Sequence, residues 1–486
     1  MKLKYTIIGL LGLFMFSGCS DFLDVTPKDQ QTEEQLYATR GGFFTAVNGI
    51  YNSLGGSSLY GKYLSYEFID VIAKRYAPSA SNTYLTALNT WDYTNSDVEN
   101  ALSNIWSSAY STILGCNVII DNVDRQSGVL SESDANLIRG EMLAVRAFLH
   151  FDMLRLFGPI YVSNPSAQAI PYNESVRISA LDFLPADTVV NRILRDLNSA
   201  ENLLANDPVI QGGPLTSVNS EEGDDVYLSY RQLRMNYYAV KALKARVYLY
   251  SGDKTNALAM ATSLLNDPVL EEHFPAVDPS KLLANQINPD RVFSTETLMG
   301  LYYDSMSDLY AYSFDGDNAG TYLLSPRVNY VDGSLFSGET QDYRFQSQWN
   351  VSSTVGVDGY VFVKYKPIED EDEEYFWSRF LPLIRLSEMY YIAAECEPNI
   401  NDGVAWLNQA RERRGLAQLE VSADNLMSEL KKEYLREFWG EGQIFFMFKR
   451  LNSDIEAANN GHLNSLVKNT KIGYVPPMPA GELENR

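Results

Sequence analysis

The chain contains few side chains that can serve as the base of a serine or cysteine triad. Its 486 residues include three histidines, His150, His273 and His462, and a serine or cysteine triad needs one of them as its base. His150 lies inside a long segment with helical apolar spacing, where a histidine is more often structural. The sequence has no H-E-x-x-H zinc motif, no G-x-x-x-x-G-K-S/T phosphate loop and no G-x-G-x-x-G dinucleotide loop. We therefore predict a protein that is not an enzyme and carries no cofactor.

Acidic side chains are abundant but do not define a site. The run from Glu369 to Glu374 could attract calcium, yet a block of like charges is more typical of a solvated loop. The segment 315–320 begins like a calcium loop, but Ala319 and Pro326 stand where oxygen ligands are needed. We expect no metal site. A glycosidase needs only two suitably spaced carboxylates, and no pair stands out among 62 acidic residues.

The balance of charge argues against nucleic acid as a partner. Lysine and arginine total 39 against 62 aspartates and glutamates, which gives a formal net charge of −23. Binding to a phosphate backbone requires clustered basic residues, and no long basic run interrupts the acidic composition. An acidic surface more often serves only to keep a protein in solution.

Three cysteines are too few for a disulfide framework, and no C-x-x-C pair offers a metal or redox site. Cys116 and Cys396 lie in apolar helical patterns and are predicted to be buried structural thiols. Cys19 differs, because it follows a positively charged start, an apolar run and a pair of small residues. This order is typical of an export signal, and it looks like a bacterial lipobox. We expect residues 1–18 to be a signal peptide, Cys19 to be acylated, and residues 19–31 to form a lipidated tether.

The segment Arg139–Val162 dominates the pattern of the remaining chain. Its apolar residues recur at helical spacing and form a broad stripe opposite charged side chains, as in an amphipathic helix. We predict that this helix ends at Phe157, since Gly158 tolerates a left-handed turn and Pro159 cannot donate a helical hydrogen bond. Similar spacing predicts further helices at Gly41–Leu54, Asp97–Val123, Pro185–Ala205 and Asn425–Leu451.

Two segments are typical of paired antiparallel helices. Small residues recur through Tyr237–Leu265 and Leu383–Leu416, where helices must approach closely, as in tetratricopeptide repeats. Between them, residues 290–380 lose helical periodicity and gain short β-like pieces. We therefore predict a mostly α fold, in which a tetratricopeptide-like helical-hairpin scaffold carries an irregular lobe with short strands. The predicted parts are a helical scaffold over 32–289 with a loop insertion near 55–96, the irregular ligand-side lobe over 290–380, and a C-terminal helical pair, terminal helix and tail over 381–486.

Four segments form motifs in a fixed order along the chain. They are the lipobox at Cys19, the helix 139–162 with its F-G-P ending, the stretch 381–416 and the terminal block 441–450. The third contains L-P-x-x-R-x-x-E and R-x-R-x-G, here Leu381, Pro382, Arg385, Glu388, Arg411, Arg413 and Gly415. Together the four closely resemble the SusD/RagB family of surface nutrient-binding lipoproteins, in which these are scaffold motifs. The terminal block departs from many relatives at Gln443 and Met447, which places the chain in a divergent subgroup.

The resemblance implies a binding protein. It implies a lipid anchor on the cell outer membrane, facing the exterior, and a partner transporter of the TonB-dependent, SusC-like type. We expect the chain to capture an oligosaccharide and deliver it to that transporter, with membrane contact through the lipid anchor only. Capture of a peptide, as in other members, is the alternative within the binding class. A surface glycosidase is the alternative outside it.

Aromatic residues in the two irregular regions are the candidate ligand contacts. Tyrosine and tryptophan rings can stack on the C–H faces of sugars, while their polar edges bond the hydroxyls. The chain has 32 tyrosines and 6 tryptophans. The predicted contacts are Tyr84, Trp91, Tyr93, Tyr303, Tyr310 and Trp349. For each ring alone, burial under a loop is the commoner role, so the prediction applies to the set.

Overall fold

A computed structural model describes most of the chain. The described residues are 32–177, 180–214, 226–283, 288–317, 319–352, 359–368, 376–458, 466–467 and 471–484. The signal peptide 1–18, the lipidation site Cys19 and the tether 19–31 lie outside them, as does the acidic run Glu369–Glu374. The expectations for these segments stay predictions.

Helices form most of the described structure, which confirms the mostly α fold. In chain order they are α1 (Glu33–Leu36), α2 (Arg40–Leu54), α3 (Phe68–Ile72), α4 (Thr83–Thr90), α5 (Ser96–Arg125), α6 (Glu132–Phe157), α7 (Ala186–Leu203), α8 (Val209–Gly212), α9 (Tyr237–Ser251), α10 (Lys254–Leu265), α11 (Pro268–His273), α12 (Met306–Ser313), α13 (Tyr343–Gln348), α14 (Leu386–Cys396), α15 (Ile400–Glu412), α16 (Ala423–Glu437), α17 (Ile444–Leu451), α18 (Lys471–Tyr474) and α19 (Ala480–Glu484). Many begin at a capping side chain, for example Thr39, Asn95, Asn236 and Asp253. These side chains accept hydrogen bonds from first-turn N–H groups, which have no partner within the helix.

The segment singled out by its apolar spacing is α6, and the rest of the fold packs around it. It begins at Glu132, earlier than predicted, because Ser131 caps the first turn. It ends at Phe157 as predicted, but Gly158 is extended, with φ −70° and ψ 172°, and not left-handed. Glycine is needed there for space, since a Cβ would lie 2.4 Å from the carbonyl oxygen of Leu154.

Four charged residues of α6, Glu141, Arg146, Asp152 and Arg155, are buried in ion pairs. Arg231 lies 2.5 Å from Glu141, and Arg146 lies 2.7 Å from Asp196. All four side chains are at most 7% exposed. A buried charge is tolerated where it is paired and hydrogen-bonded. α6 therefore contacts its neighbours through ion pairs on its charged side and through apolar packing on its other side.

The predicted helical hairpins are confirmed. One consists of α9 and α10 and the other of α14 and α15, and α10 packs against α14 so that the two hairpins are joined. The first hairpin turns at Gly252, whose φ of +81° is in the left-handed region that favours glycine. On the other side, α6 packs between α5 and α7.

The predicted single helix Asn425–Leu451 is wrong in its middle, where the chain breaks between α16 and α17. Gly440 and Gly442 at the break have φ values of +76° and +68°. The N–H of Gly440 donates to Asp70 at 2.8 Å. A Cβ on Gly442 would lie only 2.3 Å from the carbonyl oxygen of Leu64. The break therefore brings the C-terminal backbone directly onto the chain that follows α2.

The strands are short and pair in twos. In chain order they are β1 (Gln168–Ile170), β2 (Leu184–Pro185), β3 (Thr297–Tyr302), β4 (Trp349–Ser352), β5 (Gly359–Phe362), β6 (Phe380–Arg385), β7 (Ile455–Glu456) and β8 (Leu466–Val467). The antiparallel pairs are β1 with β2, β3 with β6, β4 with β5, and β7 with β8. In the β3–β6 pair, Tyr302 lies opposite Phe380 and Gly300 opposite Pro382. This pair ties the irregular lobe to the C-terminal hairpin.

The segment 55–96 is more regular and more buried than the predicted loop. It contains α3 and α4, and residues 64–76 are all buried. Side chains from the predicted lobe, such as Leu298 and Phe362, join the same hydrophobic core as Phe148 of α6. Both irregular regions are therefore packed onto the scaffold.

A buried ion-pair network centred on Glu437 holds the lobe to the C-terminal helices. Arg344, Arg385 and Arg414 all bond to the carboxylate of Glu437, at 2.9, 2.6 and 2.5 Å. Arg414 also bonds to Glu296 at 2.8 Å. Because Glu296 and Arg344 belong to the lobe and the others to the C-terminal part, these contacts fasten one to the other. We call these five residues the Glu437 network.

The other motif residues of the C-terminal part are structural as well. Glu388 bonds to Arg246 of α9 at 2.6 Å, and Arg411 bonds to Glu433 of α16 at 2.6 Å. Gly415 has a φ of +72°, and a Cβ there would lie 2.4 Å from the ring of Tyr343. The motif residues of the stretch 381–416 therefore stabilise the helical scaffold.

Candidate functional site

The structure divides the six predicted contact rings between the core and the surface. Tyr93, Tyr310 and Trp349 are buried, with 6%, 9% and 4% of their surface exposed. The hydroxyl of Tyr93 donates to the carbonyl of Gly473 at 2.9 Å, and the ring of Trp349 packs 5.1 Å from that of Trp439. These three rings are core residues, which corrects their assignment as ligand contacts.

Trp91 is half-buried and is held by its protein neighbours. Its indole N–H donates to the carbonyl of Ile72 at 3.0 Å, and the ammonium of Lys74 lies 3.8 Å from the ring centroid. A Cβ on Gly473 would lie 2.5 Å from the ring, so backbone approaches it closely. Trp91 caps the end of α4.

Tyr84 and Tyr303 belong to a group of aromatic rings at the surface. The group consists of Tyr63, Tyr84, Tyr303, Tyr312 and Tyr322 around Lys62 and Glu67, and we call it the tyrosine cluster. Tyr312 is 55% exposed, and its ring centroid lies 4.4 Å from that of Tyr322. The other rings are partly buried. A surface of this kind presents ring faces and phenolic edges to a ligand.

Lys62 lies at the centre of the tyrosine cluster. Its ammonium is 5.5, 5.7 and 5.0 Å from the ring centroids of Tyr63, Tyr312 and Tyr322. Distances below about 6 Å allow the ring faces to attract the cation. The side chain is 24% exposed. Lys62 therefore contacts the faces of all three rings and remains partly accessible to solvent.

Glu67 lies beneath Lys62 and is fully buried. Its carboxylate accepts a hydrogen bond from the hydroxyl of Tyr84 at 3.0 Å and another from the hydroxyl of Tyr322. It also lies 2.9 Å from the ammonium of Lys62. These donors come from separate parts of the chain. One carboxylate therefore fixes Lys62, Tyr84 and Tyr322 relative to one another.

Four phenols of the cluster are protonated at physiological pH. Burial, reinforced by the charge of Glu67, raises the pKa of Tyr84 and of Tyr322 well above the usual value for tyrosine. Burial likewise raises the pKa of Tyr63 and of Tyr303. Tyr84 and Tyr322 give their single O–H to Glu67, so their oxygens can only accept hydrogen bonds from a ligand. The rings of the cluster can stack with apolar faces, and none of these four phenols presents a phenolate base.

Close backbone packing positions the cluster. A Cβ on Gly61 would lie 2.1 Å from the carbonyl oxygen of Gly55 and 2.9 Å from the ring of Tyr303. The break between α16 and α17 presses on Leu64 and Ser65, since a Cβ on Gly442 would lie 2.8 Å from the oxygen of Ser65. Glycines thus bring the segment that bears Lys62 and Glu67 against both the lobe and the C-terminal helices.

The sequence analysis did not name Lys62, Tyr63 or Glu67 as site residues, although the sequence carries a signal for them. Three tyrosines, one lysine and one glutamate fall within Tyr60–Glu67, a density that is unusual for a loop. The spacing could not show which of them face solvent, because Tyr60 and Tyr66 are buried while Tyr63 is not. Tyr322 was also missed, because its partner Glu67 lies far away along the chain.

His150 is a structural side chain, as predicted. It is fully buried, its Nδ1 bonds the carbonyl of Arg146 at 2.9 Å, and its Nε2 accepts from the N–H of Asn173 at 3.0 Å. Burial lowers the pKa of His150 to about 3, so the ring is neutral. Cys116 and Cys396 are buried, also as predicted, and burial raises the pKa of each thiol to about 12.

The described residues also enclose a cavity of about 660 Å³ between the end of α6 and the segment Val475–Met478. Its polar side chains include Asn164, Gln168 and Asn452. Its aromatic ring, Phe157, is only 2% exposed. Stacking chemistry therefore points to the tyrosine cluster and not to this cavity.

Within the described ranges, no group of three or more histidine, cysteine, aspartate or glutamate side chains is placed to hold a metal ion. Among the helices described above, none combines the length and apolar character needed to cross a bilayer.

Two family models match the chain. A model described as the SusD family matches residues 310–475. A second, described as starch-binding and associating with the outer membrane, matches residues 21–217. The two matches lie on opposite sides of the first helical hairpin, and the tyrosine cluster draws residues from both.

Individual proteins similar to this chain span most of its length. SusD-like protein P25 of Formosa agariphila is 21% identical over 479 residues, which cover 86% of this chain and 83% of the relative. SusD-like protein P2 of the same organism is 25% identical and covers 92% of this chain and 89% of the relative.

Solved structures share the fold. A SusD superfamily protein from Bacteroides thetaiotaomicron has a TM-score of 0.68 at 19% identity, with 92% of this chain and 98% of that chain covered. A protein described as a laminarin-binding SusD-like protein has a TM-score of 0.62 at 17% identity, with 92% and 98% covered.

Proposed function

The chain belongs to the SusD family, and from this we propose that its tyrosine cluster captures an oligosaccharide at the outer membrane. The observation that carries the proposal is the exposed ring of Tyr312 beside Tyr322 and Lys62. Ring faces suit the C–H faces of sugars, and the neutral phenols suit their hydroxyls. The family is one of carbohydrate-binding proteins, and a structure with the same fold is described as laminarin-binding.

The captured glycan would then pass to a TonB-dependent outer-membrane transporter. Support for this step is the family membership and the description of the model that matches residues 21–217, which refers to association with the outer membrane. Acylation of Cys19 would hold the protein at that membrane, on its outer face. In this role the chain is a binding protein, and capture of a peptide is the alternative outcome of a ligand screen.

Replacement of Tyr312 by alanine should weaken glycan binding. Loss of one exposed stacking ring at a binding site typically costs about 1–2 kcal/mol, which corresponds to a rise in Kd of roughly 5- to 30-fold. Titration calorimetry with laminarin oligosaccharides, followed by a wider glycan panel, measures the change. Melting temperature should be nearly unaffected, because the ring is 55% exposed.

The matched control for this experiment is Tyr230→Ala, which removes a tyrosine that is 42% exposed and lies outside the cluster. Tyr312→Phe keeps the ring and should retain most of the affinity. Equal glycan affinity of Tyr312→Ala and the unmodified protein would contradict the placement of the site.

Replacement of Cys19 by alanine should release the protein from membranes. A thioether-linked diacylglycerol with an amide-linked chain supplies several acyl chains, and two or more chains give stable anchoring. Fractionation of cells that express each form measures the effect. Cys116→Ala removes a buried thiol and serves as the control, and unchanged membrane association of the Cys19→Ala form would refute the anchor.

A further inference from the structure

We propose that the tyrosine cluster accepts uncharged oligosaccharides and excludes acidic ones, and that Glu67 imposes this choice by neutralising Lys62. The inference rests on the proposed function, because it names the class of glycan that the same site takes. It depends on the charged side chains around the rings, above all Lys62 and Glu67.

The cation at the cluster is already engaged by the protein. Lys62 is the cation at the centre of the cluster that could attract a carboxylate or sulfate on a sugar, and the nearby Arg379 is paired with Asp304. Its ammonium lies 2.9 Å from the carboxylate of Glu67 and close to the faces of three tyrosines. Lys62 and Glu67 together carry no net charge, so the pair offers an anion little attraction.

Glu67 cannot readily release Lys62 to a ligand. Its side chain is fully buried, and the donors Tyr84 and Tyr322 hold the carboxylate in place. If a ligand anion drew Lys62 away, the buried carboxylate would lose its cationic partner, which is strongly unfavourable. The ion pair is therefore a fixed part of the site.

The surroundings of the cluster add negative charge. Asp308 lies close enough to Tyr303 to influence its phenol. Asp304 is 78% exposed on the same stretch of chain, where it pairs with Arg379. The chain as a whole has a net charge of −23, and a like-charged ligand is repelled at long range. Asp308 and the net charge of the chain oppose a uronate or a sulfate and are indifferent to a neutral sugar, whereas the Asp304–Arg379 pair adds no net charge.

The first test compares glycans on the unmodified protein. Neutral oligosaccharides from laminarin, cellulose and xylan are titrated beside alginate and polygalacturonate oligosaccharides of the same length. We expect neutral glycans to bind at least about tenfold more tightly than acidic ones, since like charges at a site discriminate by this order. The affinity for a neutral glycan should also be the same at low and high salt, because salt screens only charged interactions.

The second test removes the neutralising carboxylate. In Glu67→Gln the amide can still bond to both tyrosines, but Lys62 keeps its charge without a counter-charge. We expect a gain of about tenfold or more in affinity for acidic oligosaccharides, and this gain should fall as salt is raised. The double variant Lys62→Gln with Glu67→Gln lacks the cation and should show no gain. Melting temperatures and circular dichroism establish that each variant is folded.

The outcomes separate the inference from the proposed function. Wild-type protein that binds acidic glycans as well as or better than neutral ones would overturn the inference and leave glycan capture intact. A folded Glu67→Gln form with no gain for acidic glycans would overturn the role of Glu67. If Glu67→Gln does not fold, the wild-type comparison still decides the ligand class. Failure of the unmodified protein to bind either class would overturn the proposed function itself.

Discussion

Replacement of Glu437 by alanine is expected to lower the free energy of unfolding by about 3–5 kcal/mol. Glu437 is 1% exposed, and its carboxylate serves Arg344, Arg385 and Arg414 at once. Removal of a buried partner leaves charges that water cannot reach, and this penalty exceeds the net value of the pair itself. Each of the three guanidinium groups keeps another carboxylate partner, since Arg344 also bonds Asp342 and Glu433, Arg385 bonds Glu441 and Arg414 bonds Glu296. The loss should therefore stay within this range.

Chemical denaturation of the purified protein measures this loss. The control is Glu429→Ala, a glutamate on the same helix whose partner Lys432 is 50% exposed. An exposed pair of this kind contributes at most about 1 kcal/mol. Comparable losses in the two variants would show that the Glu437 network does not hold the lobe to the C-terminal helices.

The contribution of Glu437 also has a defined pH dependence. Burial opposes ionisation, but Arg414 and Arg385 hold the pKa of Glu437 well below its usual value of 4.5. A carboxyl whose pKa is lower in the folded state binds fewer protons there, so it stabilises the fold above about pH 4.5. This stabilisation is lost as the pH falls through the folded-state pKa. Unfolding of the Glu437→Ala form should therefore depend less on acid than unfolding of the unmodified protein.

Replacement of Trp349 by alanine is expected to cost about 3–5 kcal/mol of folding stability, as for other buried tryptophans. Trp349 is 4% exposed, and its ring packs 5.0 Å from Phe362 and 5.1 Å from Trp439. Its removal leaves a cavity between the β4–β5 pair and the end of α16, where two large neighbouring rings cannot close the gap completely.

Denaturation and glycan titration together decide the role of Trp349. We expect a large fall in the free energy of unfolding, with any loss of glycan binding in proportion to the unfolded fraction. Trp406→Ala is the comparison, because Trp406 is a tryptophan that is only partly buried and should cost less. A stable Trp349→Ala form that binds glycan weakly would restore this ring as a ligand contact.

The helical scaffold could be predicted from the sequence because its signals are local. Apolar spacing and small residues located α5, α6, α7 and both hairpins to within a few residues, apart from the early start of α6. The break between α16 and α17 was missed because apolar spacing continues across it. Gly440 and Gly442 were the available sign, but what requires glycine there is their positive φ together with the approach of Phe362 to Gly440 and of Leu64 to Gly442 from far along the chain.

The candidate site was predicted by region and only partly by residue. Two of the six named rings, Tyr84 and Tyr303, belong to the cluster, and the two irregular regions do supply its members. Composition favours aromatic residues in both the core and a binding site, so it could not separate Trp349 from Tyr312. That separation depends on which side of a folded segment faces solvent. The role of Glu67 was equally hidden, because it arises from contacts with Lys62, Tyr84 and Tyr322.

The contact of Gly440 and Gly442 with the 64–70 segment has a consequence for how binding preference can diversify. Backbone position at the cluster is set by glycines and by the buried carboxyl groups of Asp70 and Glu67, whereas the exposed ring of Tyr312 lies at its rim. At the proposed glycan site, substitutions at the rim can therefore change the sugar preference without changing the backbone beneath it. Directed evolution of sugar preference can for the same reason be confined to small libraries at the exposed positions.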